Sequence, residues 1–430
     1  MKRIFLLSCV VTLLLTAGGA SGYTLDELMA LSVENRDLIK TYEANLEKSR
    51  EDVKFQKGNF YPVVDVGYTA TRLDEASSFE ARDSNTLFGI ATINVFSGFR
   101  DMSDYEASRR LSEVSALRLA SIREDIRLAT ALGFLTVRRA MARLKVSGDE
   151  VKLFRERYEN IELRQKVGLL KRNDLLKIKV EMDDAIQEQK TAEAALGKSL
   201  NELSFTVGSV VARETLDCGI FEKLPETGEY AQYEPLLISR RSELAALRKS
   251  REAAKFLVRS ARSPLYPKAD LALSYQHLEE DYLPGAGAGD ENEVRLQLTV
   301  TMNLFDGYQK YAGIRKARID EKKVTYELSE LTEQLKTGLR NILLDIDVSR
   351  ENLAVAESSQ VEAQENLRVT ELSFGRGLAT SADLLDAIFF LSRAKFNVIE
   401  ARTQIFGNNF RLLRMIEGFS AESEQTAEAN

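Results

Sequence analysis

Val294-Arg295-Leu296-Gln297-Leu298-Thr299-Val300-Thr301-Met302-Asn303-Leu304-Phe305-Asp306-Gly307 is the stretch that decides the fold. Val294, Leu296, Leu298, Val300, Met302 and Leu304 alternate with Arg295, Gln297, Thr299, Thr301 and Asn303. Strict period two, one face apolar and the other polar, predicts a β-strand with two different environments on its sides. Its last residues, Asn303-Leu304-Phe305-Asp306-Gly307, repeat Asn94-Val95-Phe96-Ser97-Gly98, 209 positions earlier. The same offset relates Gly377-Leu378-Ala379 to Gly168-Leu169-Leu170, and Asp383-Leu384-Leu385 to Asp174-Leu175-Leu176. A register held from residue 94 to residue 175 predicts two copies of one structural unit of fixed length.

Upstream, each copy has a tyrosine–proline step, Tyr61-Pro62 and Tyr266-Pro267, where proline ends a helix and presets extended chain. Strands are predicted at about 62–71 and 86–96, and at about 267–276 and 293–305. In the first copy Val64, Val66, Tyr68 and Ala70 oppose Asp65, Gly67, Thr69 and Thr71, while Phe88 and Ile90 blur the alternation of the second strand. Polar loops at 72–85 and 277–292 join the pairs, with His277 read as a solvated loop residue. Thr24-Leu25-Asp26-Glu27 fits a capping box opening a helix that runs to about Lys57.

Downstream of each strand pair the chain has no proline from Gly98 to Val167 or from Gly307 to Phe374. Long helices are predicted there, 98–167 and 307–374, each ~100 Å at 1.5 Å per residue. Val324, Leu328, Leu331, Leu335, Leu339, Ile342 and Ile346 form a 3-4 stripe that wants partner helices in coiled-coil-like packing. Glycine turns follow, and return helices are predicted at 173–203 and 381–415. The fold class is mainly α with a small antiparallel β part. It comprises a first repeat at 23–203, a connector at 204–235, a second repeat at 236–418 and a disordered acidic tail at 419–430.

Lys2-Arg3, the apolar run Ile4 to Ala17 and the small residues Gly18 to Gly22 read as a cleavable signal peptide over 1–22. Leu7-Ser8-Cys9 looks like a lipoprotein site, but the apolar run continues past it. After residue 22 no apolar stretch approaches the ~20 residues of a membrane helix. Cys218 is left without a partner for an internal disulfide. The net charge of -7 gives no basic stripe for nucleic acid. One histidine, no phosphate loop and no metal-ligand spacing predict no catalytic residues, no metal and no cofactor.

Four amphipathic strands in an exported chain pose a physical problem. In water their apolar face is an aggregation surface with open edges. In lipid every backbone group needs a partner, which only a closed barrel supplies. Four strands cannot close a useful bore, whereas a homotrimer brings twelve. The polar faces would then line a water-filled lumen, with lipid against the apolar faces. The competing reading is a non-conducting periplasmic coiled-coil tether or scaffold, which explains the heptads but leaves the strands without a purpose.

Tyr-Pro before the strands, Asn-x-Phe-x-Gly before the long helix and Val-Gly-Leu…Asp-Leu-Leu at the turn resemble the TolC family of outer-membrane efflux proteins. Arg240-Arg241-Ser242-Glu243-Leu244 and, more loosely, Asn35-Arg36-Asp37-Leu38 resemble that family's signature. The likeness covers about residues 23–418. It implies a trimeric 12-stranded β-barrel in the outer membrane, continued by an α-helical barrel across the periplasm. It also implies docking through a periplasmic membrane-fusion (adaptor) protein to an inner-membrane pump of RND, ABC or MFS class. Multidrug efflux and type I secretion share such an outer component.

At the turns, Asp174 and Asp383 are explained by helix capping alone, since an acid in the first turn complements the dipole. Asp386 is not, because its counterpart is Lys177 and capping does not reach that far. The resemblance places Asp383 and Asp386 in the ring of aspartates at the narrow end of the tunnel, with Asp174 beside them, a cation-selective constriction. It also places the family's closing tyrosine and arginine at Phe374 and Ala379. Neither can make those bonds, so closure is expected to rest on other contacts. Gly168, Leu169, Leu170, Gly377 and Leu378 are read as turn residues and adaptor contacts, helix-turn packing being the alternative.

Overall fold

The computed structural model describes residues 23–75, 82–217, 219–221, 223–279 and 291–419. The signal segment 1–22, Cys218, the two strand-loop tips and the tail from 420 lie outside the described residues. The elements run α1 (Leu25–Asn35), α2 (Asp37–Gly58), β1 (Val63–Arg72), β2 (Asp83–Phe96), α3 (Arg100–Lys166) and α4 (Arg172–Val207). Then follow α5 (Tyr230–Arg240), α6 (Ser242–Ser260), β3 (Lys268–Glu279), β4 (Glu291–Thr301), α7 (Gln309–Gly375) and α8 (Ser381–Met415). The two long helices, α3 and α7, are each 67 residues, as a repeat of fixed length requires.

The four strands form one antiparallel sheet in the order β1-β2-β3-β4. The copies therefore meet through β2 and β3, with Ala91 opposite Leu273 and Ile93 opposite Leu271. β1 brings Val64 opposite Ala91, and β4 brings Leu296 and Leu298 opposite Leu273 and Leu271, so one face is apolar across all four strands. The blur in β2 has a cause. Phe88 lies opposite Gly67, and a Cβ on Gly67 would stand 2.3 Å from the tip of the Phe88 ring. The aromatic ring covers the glycine on the polar side.

Several boundaries differ from expectation. The first helix is broken at Arg36, whose extended backbone separates α1 from α2. The Arg36 guanidinium donates to the Phe205 carbonyl at 2.7 Å and lies 4.3 Å over the Phe205 ring, which fixes the break. Arg241 breaks α5 from α6 at the equivalent place, 205 positions on. β4 stops at Thr301 rather than 305, because its partner β3 begins at Lys268 and offers nothing further to pair with. His277 belongs to β3, not to a loop; its Nδ1 lies 2.9 Å from Asn292 Oδ1 on the paired strand. The connector is shorter than 204–235, since α4 runs to Val207 and α5 starts at Tyr230 with Pro235 inside it. A proline there forfeits one helical bond. Buried Leu237, the Lys336–Glu234 ion pair at 3.3 Å and Arg340 over the Tyr230 ring hold the helix regardless. Phe419, assigned to the tail, is buried.

The chain divides into two units. One comprises the chain up to Arg36, Ile126–Thr227 and Asp345–Arg411; the other comprises Asp37–Asp125, Gly228–Leu344 and the chain from Leu412. In the first, the connector is anchored by Phe221, which stacks on Phe134 at 5.6 Å and meets Phe406 edge-on at 4.9 Å. Arg350 donates to the Pro225 carbonyl at 2.9 Å and to Thr227 Oγ1 at 3.1 Å. In the second, an ionic cluster replaces an apolar plug. Arg414, with 5% of its side chain exposed, donates to Asp125 at 2.7 Å and to Glu243 at 2.6 Å. Glu417, in left-handed backbone at φ 51°, accepts from the backbone N–H and hydroxyl of Ser242 at 2.6 and 2.8 Å.

Candidate functional site: the helix turns and the two-faced sheet

Both turns are built alike. Gly168 and Gly377 each have φ 77°, a left-handed conformation open to glycine at little cost. The next amide closes the helix end in each case, Leu169 N–H to the Arg164 carbonyl at 2.9 Å and Leu378 N–H to the Ser373 carbonyl at 2.8 Å. That is a Schellman ending, and it satisfies carbonyls the helix leaves orphaned.

The helices then restart on their acids. The backbone N–H of Thr380 donates to Asp383 Oδ2 at 2.7 Å, and the Thr380 hydroxyl donates to the same oxygen at 2.8 Å. The Asp383 N–H returns a bond to Thr380 Oγ1 at 3.2 Å, completing a capping box. The Thr380 N–H first, and its hydroxyl second, hold the Asp383 carboxyl below its ordinary value. Asp174 accepts a single bond, from the Lys171 N–H at 3.2 Å. Asp386 is exposed and makes no hydrogen bond or ion pair among the described residues. Capping thus accounts for Asp174 and Asp383, and leaves Asp386 with no structural task.

A buried cluster underlies the turns. Phe154, Ile161, Ile178, Leu367, Phe374, Leu384 and Ile388 form its centre, with Leu170 and Ala379 packed at its edge. Phe374 is 7% exposed; the Arg164 guanidinium sits 5.2 Å over its ring and donates to its carbonyl at 3.3 Å. Arg157 pairs with Glu371 one turn back. Leu169 and Leu378 stand out at 73% and 79% exposure. Leu170 does not share that exposure, because it folds back onto the cluster.

At the sheet, the apolar face is bare. Val66, Val294, Leu296, Leu298 and Val300 are all more than 60% exposed. No described helix is long and apolar enough to cross a membrane. β1 and β4 each keep one unpaired edge. Sequence reasoning missed the Arg414 cluster altogether. The signal available was the arginine at each helix break, Arg36 and Arg241, recurring at the same place in both copies.

A sheet with a lipid-compatible face, carried on twin 67-residue helices that end in matched turns, defines an outer-membrane channel protein whose helices extend into the periplasm. Residues 28–209 and 235–416 match the outer membrane efflux protein family, one block per repeat, and the chain belongs to that family. Outer membrane protein TolC of Vibrio cholerae is 21% identical over 386 residues, covering 88% of this chain and 87% of that one. Alkaline protease secretion protein AprF of Pseudomonas aeruginosa is 22% identical over 364 residues, covering 78% and 72%. Among solved structures, the outer membrane protein VceC of Vibrio cholerae superposes with a TM-score of 0.80 at 15% identity, covering 91% and 95%. The open state of the MtrE outer membrane channel of Neisseria gonorrhoeae gives 0.77 at 16%, covering 91% and 88%. Family membership removes the reading as a non-conducting tether.

Proposed function

We propose that three copies close one barrel and act as the passive exit duct of a tripartite efflux or type I secretion system. The observation that carries this is the strand order. Inside the chain, the second strand of the first copy pairs with the first strand of the second copy. The reciprocal pair, β4 with β1, is left unmade, and a neighbouring copy can make it in the same geometry. Two copies would give eight strands, a bore that side chains fill; three give twelve and leave a lumen. The lumen face carries Arg295, Gln297, Thr299 and Thr301, and the coat is outer-membrane lipid.

The proposed duct does no chemistry. Its transport is driven by an inner-membrane pump and reaches it through an adaptor protein, for which exposed Leu169 and Leu378, presented by Gly168 and Gly377, are the proposed contacts. Asp386 is the proposed selectivity residue, with Asp383 and Asp174 beside it, because an exposed carboxylate with no partner costs least to place in a shared anionic ring. Phe374 and Ala379 give the turn an apolar interior in place of a polar latch. Single-channel recording of the purified protein in planar bilayers tests the duct. Absence of conductance under conditions that open the tip would end it.

A further inference from the structure

A cavity of about 310 Å³ lies just beyond the sheet, walled by Phe99, Met102, Phe256 and Tyr266 and edged by Arg259 and Arg262. Its depth is set by the strands, since β2 ends at Phe96 and β3 begins at Lys268. A bulge between Asn94 and Phe96 turns Phe96 onto the apolar face, opposite Ala269. From there rings continue the apolar surface outward, Phe96 to Phe99 at 5.1 Å and Phe99 to Tyr266 at 5.5 Å, both edge-on. The cavity therefore sits where hydrocarbon gives way to headgroups.

Its charge is unbalanced. Arg259 lies 5.3 Å over the Phe256 ring, and neither it nor Arg262 has an acidic partner or side-chain hydrogen bond among the described residues. The one carboxylate in the wall, Glu106, is held by Arg109 at 3.0 Å. The internal repeat gives a second, independent observation. Lys54, Lys57 and Tyr61 return as Arg259, Arg262 and Tyr266 after 205 positions, while Glu51 and Asp52, one turn before Lys54, have become Phe256 and Leu257. Phe99 and Met102 return as Tyr308 and Tyr311. The two cations and the tyrosine recur, whereas Phe256 stands where the first copy has Glu51, the partner of Lys54 at 2.6 Å, so only the second copy leaves its cations beside an apolar wall.

We propose that this cavity binds the headgroup phosphate of an anionic phospholipid in the periplasmic leaflet of the outer membrane. Arg259 and Arg262 hold the phosphate, and the acyl chains lie along Phe99, Phe96 and the apolar strand face. Guanidinium is the group best matched to a phosphate, by charge and by its fork of donors. The proposal rests on the membrane-spanning barrel described above.

Native mass spectrometry of the full-length protein in detergent tests it, titrating separately with dioleoyl phosphatidylglycerol, dioleoylglycerol and inorganic phosphate. Phosphatidylglycerol adducts are expected, weakened about tenfold in Arg259→Gln/Arg262→Gln and less in Arg259→Lys/Arg262→Lys, which retains the charge but not the fork of donors. Equal phosphatidylglycerol affinity in the Gln variant overturns the proposal. So does equally tight dioleoylglycerol, which would mean apolar contact only, or displacement of the lipid by inorganic phosphate, which would mean a free-anion site. The same spectra report the oligomer. A monomer that still binds lipid through the arginines defeats the trimeric duct but not this site; a trimer indifferent to the arginines does the reverse.

Discussion

At the scale of single residues, the two aspartates of the second turn separate cleanly. Asp383 is consumed by its capping box, so Thr380→Ala should lower stability by about 1 kcal/mol, read by chemical denaturation in detergent, with little effect on selectivity. Because the Asp383 carboxyl is held below its ordinary value, its contribution is present above the usual carboxylate range and fades as pH falls through and below it. Asp386→Ala should do the opposite, leaving stability unchanged while reducing cation preference in bilayer recordings; unaltered reversal potentials would take Asp386 out of the constriction. Arg414 is the residue whose loss should hurt most. Burial works against ionising Glu243, but the guanidiniums of Arg241 and Arg414 outweigh it and keep the carboxyl below its usual value. Arg414→Met leaves Glu243 to Arg241 alone, 2.9 Å away, and removes the partner of Asp125, at a cost of up to about 3 kcal/mol. Adding Glu243→Leu should recover part of the loss, and a double-mutant cycle with no coupling would show that the two act independently.

At the scale of elements, strand-to-helix junctions demand special backbone. Gly98 has φ 66°, and a Cβ there would stand 2.5 Å from the Ser263 carbonyl oxygen. Gly98→Ala should therefore cost about 2 kcal/mol or more, from left-handed strain plus that contact. Gly307 has φ 68° but open space around its Cβ position, so Gly307→Ala should cost only the strain. Thermal unfolding of the two variants side by side measures the difference, and equal losses would locate the whole effect in φ. The helices themselves were readable from proline-free, heptad-patterned sequence, and the turns from glycine followed by aspartate. The break at Arg36 was not placed, although Asn35 and Asp37 are weak helix formers that favour helix ends. A carbonyl and a ring at Phe205, 169 positions away, decide it.

At the scale of the whole molecule, the prediction is assembly. Unboiled protein should migrate as a trimer in mild detergent and as a monomer after heating, since each copy leaves two strand edges to its neighbours. Arg295→Asp, on the polar face of β4, should change ion preference and leave the trimer intact. Val300→Asp, on the apolar face two residues beyond Leu298, should instead weaken membrane insertion by up to a few kcal/mol. Identical behaviour of the two would mean that the faces are not lipid and lumen.

The repeat, the number and type of elements, the two faces of each strand and the turn residues follow from sequence alone, because period two, period 3.6 and a fixed offset are properties of neighbours along a chain. Strand order, the breaks at Arg36 and Arg241, the burial of Phe374 and Phe419 and the ionic cluster around Arg414 do not. Each depends on groups more than a hundred positions apart, or on which side of an element meets a partner, and local patterning holds no record of that. Only the folded chain brings Asp125, Glu243 and Arg414 within hydrogen-bonding reach, where attraction between buried charges, rather than any propensity, settles the arrangement.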